Sequence, residues 1–265
     1  MSRPPSTQMS AQTSAQTSAP TSAPTSAPTI SLTVDGRRIA ALPGQTILEA
    51  ADAAGVYIPR LCWMKDLSPF GSCRICTVRV NGRAQAACTQ PAAQGMVVEN
   101  DTEELRALRR DLVDMLFVEG NHFCMICAKS GNCELQAVAY RFGIAAPRFP
   151  FAFPLRERDA SHPEILLDRD RCILCARCVR ASRELDGKAV FGFEGRGAER
   201  HLAVNSVEGL GGTDAEITDR AVAACPTGTL MAKRVGFAVP VGRRRFDHLA
   251  IGAEIESPAP GRGGE

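Results

Sequence analysis

No stretch of 18 or more apolar residues occurs in the 265-residue chain, so it holds no candidate transmembrane helix. The first 28 residues, Met1 to Pro28, lack the apolar segment of a secretory signal, which sets the expectation of a cytoplasmic protein. Excess charge of one sign is missing too. With 31 basic and 29 acidic side chains and a formal charge of +2, neither nucleic acid nor a membrane surface is expected as partner. A nucleotide fingerprint is also absent: Gly209, Gly211 and Gly212 follow no suitable strand, Gly192, Gly195 and Gly197 do no better, and both sets read as surface loops. No nucleophile, base and orienting group form a set, so no catalytic residue is assigned. What the chain does have is eleven cysteines.

The cytosolic thiol pool keeps disulfides reduced, so metal ligation is the leading reading of those cysteines. Their odd number agrees: a disulfide framework leaves one thiol over, whereas four-ligand sites that include one histidine use all eleven.

Residues 1–29 and 251–265 are expected as disordered tails. Ser10 to Pro28 repeats Ala, Gln, Thr, Ser and Pro, which carry too little apolar surface to offset ordering entropy, and Ser257 to Glu265 reads likewise. A transit peptide is the rival reading of the first tail, but Arg3 is its only basic residue. Between the tails we expect an α+β chain of three units: one of strands and a helix at 30–99, a small helical module at 100–150 and a ferredoxin-like unit at 151–250. In the first, Ile30, Leu32 and Val34 alternate up to Asp35-Gly36, with Arg37 to Leu42 returning; Ile75, Val78 and Val80 lead to Asn81-Gly82, with Arg83 to Cys88 returning. Thr46 and Glu49 form a capping-box pattern for a helix over Ile47 to Ala54, closed by Gly55. Strand pair, helix, cysteine loop and strand pair resemble the beta-grasp fold of 2Fe-2S ferredoxins. Thr102 to Val118 predicts an amphipathic helix carrying Leu105, Leu108, Leu112, Met115 and Leu116. Pro147 to Pro154 predicts an extended connector pinned by its phenylalanines. Thr213 and Glu216 predict a capped helix to about Ala223, stopped by Pro226.

The cysteines fall into three groups. Cys62, Cys73, Cys76 and Cys88 follow C-x10-C-x2-C-x11-C. Four thiolates suit either zinc or a 2Fe-2S cluster, but Gly71 and Ser72 before Cys73 let backbone N–H groups approach inorganic sulfide, which favours iron. The second group is His122, Cys124, Cys127 and Cys133, for which zinc and a 4Fe-4S cluster are the two readings. The third, Cys172, Cys175 and Cys178, forms C-x2-C-x2-C, and Cys225, followed by Pro226, is the candidate fourth ligand. Ser182 stands where a two-cluster ferredoxin run continues with cysteine, so one 4Fe-4S cluster is inferred here rather than two. His162, His201 and His248 lie apart from these groups and read as surface or hydrogen-bonded side chains. Arg243, Arg244 and Arg245 form a basic run, either a docking point or a solvated surface.

The first spacing matches the N-terminal module of respiratory complex I's large peripheral subunit. EGNHFCMICAKSGNCELQ (119–136) resembles the module that holds a 4Fe-4S cluster through one histidine and three cysteines in complex I, iron-only hydrogenases and hydrogenase diaphorases. Only Phe123 separates His122 from Cys124, where many family members place three residues; a histidine hydrogen-bonded beside the cluster is the alternative role. Together with YIPRLCWMKD (57–66), GSCRICTVRVNG (71–82), RFPFAFP (148–154), DRDRCILCARCVR (168–180) and ACPTGTLMAKRVGF (224–237), the order resembles the small iron-sulfur diaphorase subunit of soluble NAD-reducing nickel-iron hydrogenases. The resemblance runs from about Ile30 to about Arg245. It implies one 2Fe-2S and two 4Fe-4S clusters, and a hetero-oligomer in which this chain relays electrons between a flavin- and NAD-binding diaphorase subunit and the nickel-iron hydrogenase small and large subunits. The rival readings are the equivalent relay subunit of an NAD-dependent formate dehydrogenase or complex I-type module, and a scaffold held by structural zinc.

Overall fold

A computed structural model describes residues 29–256. The alternating residues near the start form β1 (Ile30–Val34), which Asp35-Gly36 turns back into β2 (Arg37–Ala41). Both turn residues are left-handed, with φ of 47° and 79°, as a two-residue hairpin requires. α1 (Ile47–Ala53) begins at Thr46, whose Oγ1 accepts the Glu49 N–H while the Glu49 carboxylate accepts the Thr46 N–H. A second hairpin pairs β3 (Thr77–Val80) with β4 (Arg83–Ala86), and β5 (Val97–Glu99) slots between β1, parallel, and β3, antiparallel. The resulting sheet, β2-β1-β5-β3-β4, packs Leu32, Val34, Ile39, Val78 and Val98 against Ile47, Leu48, Ala50 and Ala51 of α1. A mixed sheet grasping one helix is the fold expected from the hairpins and the capping box.

α2 (Glu103–Glu119) starts at Thr102, whose side chain accepts the Leu105 N–H. Its buried face differs from the expected one. Leu105, Arg109, Val113, Asp114, Phe117 and Val118 are inside, while Leu108 and Met115 are exposed. The helix is rotated because Arg109, 1% exposed, carries its charge into the core and donates to the carbonyls of Ile75, Thr77 and Asn100 and to Asn100 Oδ1 at 2.7–3.1 Å. It satisfies backbone at the entry to β3 that water cannot reach. Arg109→Ala orphans these acceptors at a cost of about 3 kcal/mol or more. That lowers the thermal unfolding midpoint by about 6 to 12 °C, whereas Leu108→Ala changes it little; equal behaviour of the two variants would refute the bridging role.

α3 (Glu134–Arg141) follows, then β6 (Arg158–Asp159), β7 (Ile165–Asp168), α4 (Arg177–Glu184), β8 (Phe191–Glu194), β9 (His201–Val204), α5 (Arg220–Ala223), β10 (Leu230–Ala232) and α6 (Ala253–Glu256). β10-β7-β6 form an antiparallel sheet and β8-β9 a hairpin, packed with α4 and α5 around Ile165, Leu167, Leu202, Leu210 and Leu230. The helix expected from Thr213 is shorter than its pattern. Thr213 Oγ1 donates to the Leu210 carbonyl and accepts from Ala215 in a turn, and α5 starts where the distant Asp186 carboxylate accepts the N–H groups of Arg220 and Ala221.

Residues 147–154 hold no helix or strand, and Phe151 stacks between Phe123 and Phe153, at ring distances of 6.0 and 5.4 Å. The C-terminal tail expected from residue 251 needs correction at its start. Ile251 is buried, Arg141 donates to its carbonyl at 2.9 Å and pairs with Glu256, and α6 closes the segment. Residues 1–28 and 257–265, the rest of both expected tails, lie outside the described residues. No helix among the described residues is long and apolar enough to cross a membrane.

Candidate metal centres

The first donor set hangs on loops at one end of the beta-grasp sheet. Cys62 follows α1, Cys73 and Cys76 precede β3, Cys88 follows β4, and all four are buried. Arg74, between the middle pair, is left-handed at φ 57°, and Gly71 at φ 73° has Thr89 Cγ2 3.0 Å from where a Cβ would sit. Within the set the Cys62 N–H donates to the Cys73 sulfur at 3.4 Å. The sulfurs are crowded enough to share protons. Hydrogen bonds from the Cys73 and Cys88 thiols push Cys62 well down, while Cys73 and Cys88, which donate them, are pushed up. Such a set binds a metal group by releasing protons.

The second set forms where α2 ends and α3 begins. His122, Cys124, Cys127 and Cys133 line one cavity with Phe117, Leu135, Arg171 and Gly228. His122 sits edge-on to Phe117, 5.7 Å between centroids. Its Nε2 is buried with no hydrogen-bond partner among the described residues. Burial first, and then the Arg171 and Arg156 cations, pull its pKa down to about 4, so the ring is a neutral donor at pH 7. An orphaned buried nitrogen beside three thiols fits a metal group there. Burial pushes Cys133 up to about 12, although its sulfur accepts the N–H groups of Leu135 and Gln136 at the start of α3.

Cys172, Cys175, Cys178 and Cys225 line the cavity of the third set with Phe193, Leu202, Thr227 and Thr229. Leu174 and Ala176, alternating with the cysteines, are left-handed at φ 52° and 58°, and the N–H groups of Leu174, Arg177 and Val179 turn toward Cys172, Cys175 and Cys178. Burial pushes Cys172 up to about 11 and Cys175 to about 12. Cys225 comes in from the end of α5, as expected. A further groove, open, polar and without a lining cysteine, lies along Arg158, His201 and Val207.

Residues beside the third set are hydrogen-bonded to the segments that carry both others. Arg180 Nη2, on α4, donates to the Cys62 carbonyl at 2.5 Å, and Ser72 Oγ to the Leu174 carbonyl at 3.4 Å. On the other side the Glu134 N–H, next to Cys133, donates to the carbonyl of Pro226, next to Cys225, at 2.8 Å. Buried Arg177 forks onto the Glu134 carboxylate at 3.0 and 2.8 Å. The basic run works here too. Arg245 N–H donates to Asn132 Oδ1 and Arg244, paired with Asp247, reaches the Ser130 carbonyl, so this stretch clasps the second donor loop. His162 is hydrogen-bonded in the core, by Nε2 to the Ala215 carbonyl and by Nδ1 to the N–H groups of Glu164 and Ile165. Arg171, Arg177, Arg180 and Glu134 went unnoticed in the sequence; their one signal is adjacency to cysteine ligands.

Family models match the chain in the same order: a 2Fe-2S iron-sulfur cluster binding domain over 27–103, the NADH-ubiquinone oxidoreductase-G iron-sulfur binding region over 109–148, and a 4Fe-4S single cluster domain over 165–231. Over 225 residues, 84% of this chain and 96% of the relative, it is 42% identical to NAD-reducing hydrogenase HoxS subunit gamma of Cupriavidus necator. The chain belongs to the gamma-subunit family of NAD-reducing hydrogenases. A chain in the crystal structure of an NAD+-reducing NiFe-hydrogenase in the H2-reduced state shares this family member's fold with a TM-score of 0.82 and 48% identity, covering 86% of this chain and 99% of that one. The same region is 35% identical to NADPH-Fe(3+) oxidoreductase subunit alpha of Geobacter sulfurreducens, but spans 24% of that longer protein.

Proposed function

We propose that this chain is the electron-relay subunit of a cytoplasmic NAD-reducing hydrogenase, linking a flavin- and NAD-binding diaphorase subunit to the nickel-iron hydrogenase subunits. Cys62, Cys73, Cys76 and Cys88 would hold a 2Fe-2S cluster; His122, Cys124, Cys127 and Cys133 one 4Fe-4S cluster; Cys172, Cys175, Cys178 and Cys225 another. When bound, such clusters supply reversible one-electron chemistry. The observation that supports the reading is the set of hydrogen bonds linking residues beside the third donor set to residues of both the first and the second. The residues of this chain exclude water, aim N–H groups at sulfur and keep His122 neutral.

The match over nearly the whole gamma subunit favours the hydrogenase over longer complex I-type relatives, of which the chain matches a smaller share. Exposed apolar residues support a neighbouring redox subunit of that assembly: beside the second set Met125 is 95% and Ile126 73% exposed, next to Phe123 and Phe153.

The native complex purified without oxygen should carry nickel and flavin and reduce NAD+ with hydrogen. Molybdenum or tungsten in place of nickel would assign the chain to a formate-oxidising enzyme. His122→Ala should alter the spectrum of one cubane and leave the 2Fe-2S signal unchanged, and an unaltered spectrum would reassign the fourth ligand.

A further inference from the structure

Among the charged side chains around the donor sets, Arg171 makes direct contact with a donor sulfur. Its Nη1 lies 3.2 Å from Cys127 Sγ, with Met231 Sδ at 3.8 Å, and the guanidinium lines the cavity that holds His122, Cys124 and Cys133. The side chain is held from several directions. Nε pairs with Asp168 Oδ2 at 3.1 Å, the Arg171 carbonyl accepts Thr227 Oγ1 at 2.8 Å, and Gly228 packs over it. A Cβ on Gly228 would sit 3.1 Å from Arg171 Cδ and Nη1 and 3.3 Å from Cys127 Sγ, so the glycine leaves room for this contact. Arg171 directly precedes Cys172, so one backbone segment supplies a ligand to the third site and a cation to the second.

We propose that Arg171 is a positioning residue for the second site that orients the Cys127 thiolate and raises the reduction potential of the group bound there. The inference rests on the ligand assignment proposed above. Reduction adds one electron to that group, forms and breaks no bond, and leaves the guanidinium protonated. The added negative charge is shared with the ligand sulfurs, so a charge-assisted N–H···S bond stabilises the reduced form more than the oxidised one. Neutral His122 in place of a thiolate acts in the same direction, and the two together set the second site apart from the all-cysteine third site. Arg177 does not duplicate the effect, since both its terminal nitrogens are committed to Glu134.

The test is an EPR-monitored redox titration of the complete complex, purified without oxygen, comparing wild type with Arg171→Gln, Arg171→Lys and Gly228→Ala. In Arg171→Gln the reduced-to-oxidised ratio of the second cluster at a fixed ambient potential falls about tenfold, equivalent to a midpoint about 59 mV lower. The 2Fe-2S cluster stays at its wild-type midpoint. Arg171→Lys, which keeps charge but not the fork, and Gly228→Ala, which crowds the contact, shift it the same way by less. An intact second cluster titrating at the wild-type midpoint in Arg171→Gln overturns the proposal, as does an equal shift of all clusters, which would be a general charge effect. If Arg171→Gln fails to assemble, the other two variants decide by the same criterion. Absence of any second-cluster signal in the wild type would instead overturn the ligand assignment beneath it.

Discussion

Replacing Cys175 with alanine abolishes hydrogen-dependent NAD+ reduction while leaving the 2Fe-2S signal and the signal of the His122 site in place. Cys175 is buried in the cavity of the third set, and residues beside that set are hydrogen-bonded to the segments that carry both neighbours. A break there separates the two ends of the relay. Changes in the surroundings of a metal site typically cost about 10- to 100-fold in affinity or activity, and loss of a ligand in the middle of the path exceeds that. Hydrogen-dependent reduction of an artificial dye at the nickel-iron subunits should survive, which separates a broken relay from a collapsed complex. Full hydrogen-to-NAD turnover in the variant would place this site off the path.

The second large effect is expected at a residue with no chemistry of its own. Gly120 ends α2 with φ −114°, a conformation any residue can adopt. Space, not backbone freedom, is what requires glycine. A Cβ there would lie 2.5 Å from the Asp170 carbonyl oxygen and 2.8 and 2.9 Å from His122 Nε2 and Cδ2. Relief must come from the imidazole or from the 2.9 Å bond by which the Asn121 N–H holds the Asp170 carbonyl, and either moves the donor nitrogen. Gly120→Ala therefore loses the second cluster, about four irons per chain, and keeps the 2Fe-2S signal. Gly192→Ala, with open space around it, is the matched control and keeps the wild-type iron content. Equal iron in both variants would show that the imidazole is not held where this reading needs it.

Local rules made much of the molecule legible. Asp35-Gly36, Asn81-Gly82 and the Thr46–Glu49 box each act within a few residues of themselves, and the chain forms the hairpins and helix they encode. The grouping of the donors was visible for a similar reason: C-x2-C spacings and a Cys-Pro pair carry their meaning in the chain. What failed was long-range. The apolar count on α2 chose Leu108 and Met115, but four acceptors across the core draw Arg109 inside and rotate the helix. The pattern at Thr213 and Glu216 promised a local cap, whereas α5 starts on Asp186, more than thirty residues back. Arg171, Arg177 and Arg180 drew no reading in the sequence because such a cation is recognised by its partners, and Cys127, Glu134 and Ser68 come from other segments.

The central claim is that sulfur and one imidazole from distant segments enclose iron in three adjoining sites, and total metal analysis with Mössbauer spectroscopy of the complex purified without oxygen tests it most directly. The account predicts about ten irons for each copy of this chain, after those of its partners are subtracted, as one 2Fe-2S and two 4Fe-4S clusters, one of the cubanes altered by His122→Ala. A pale preparation holding zinc at these positions, with no iron attributable to this chain, would contradict it.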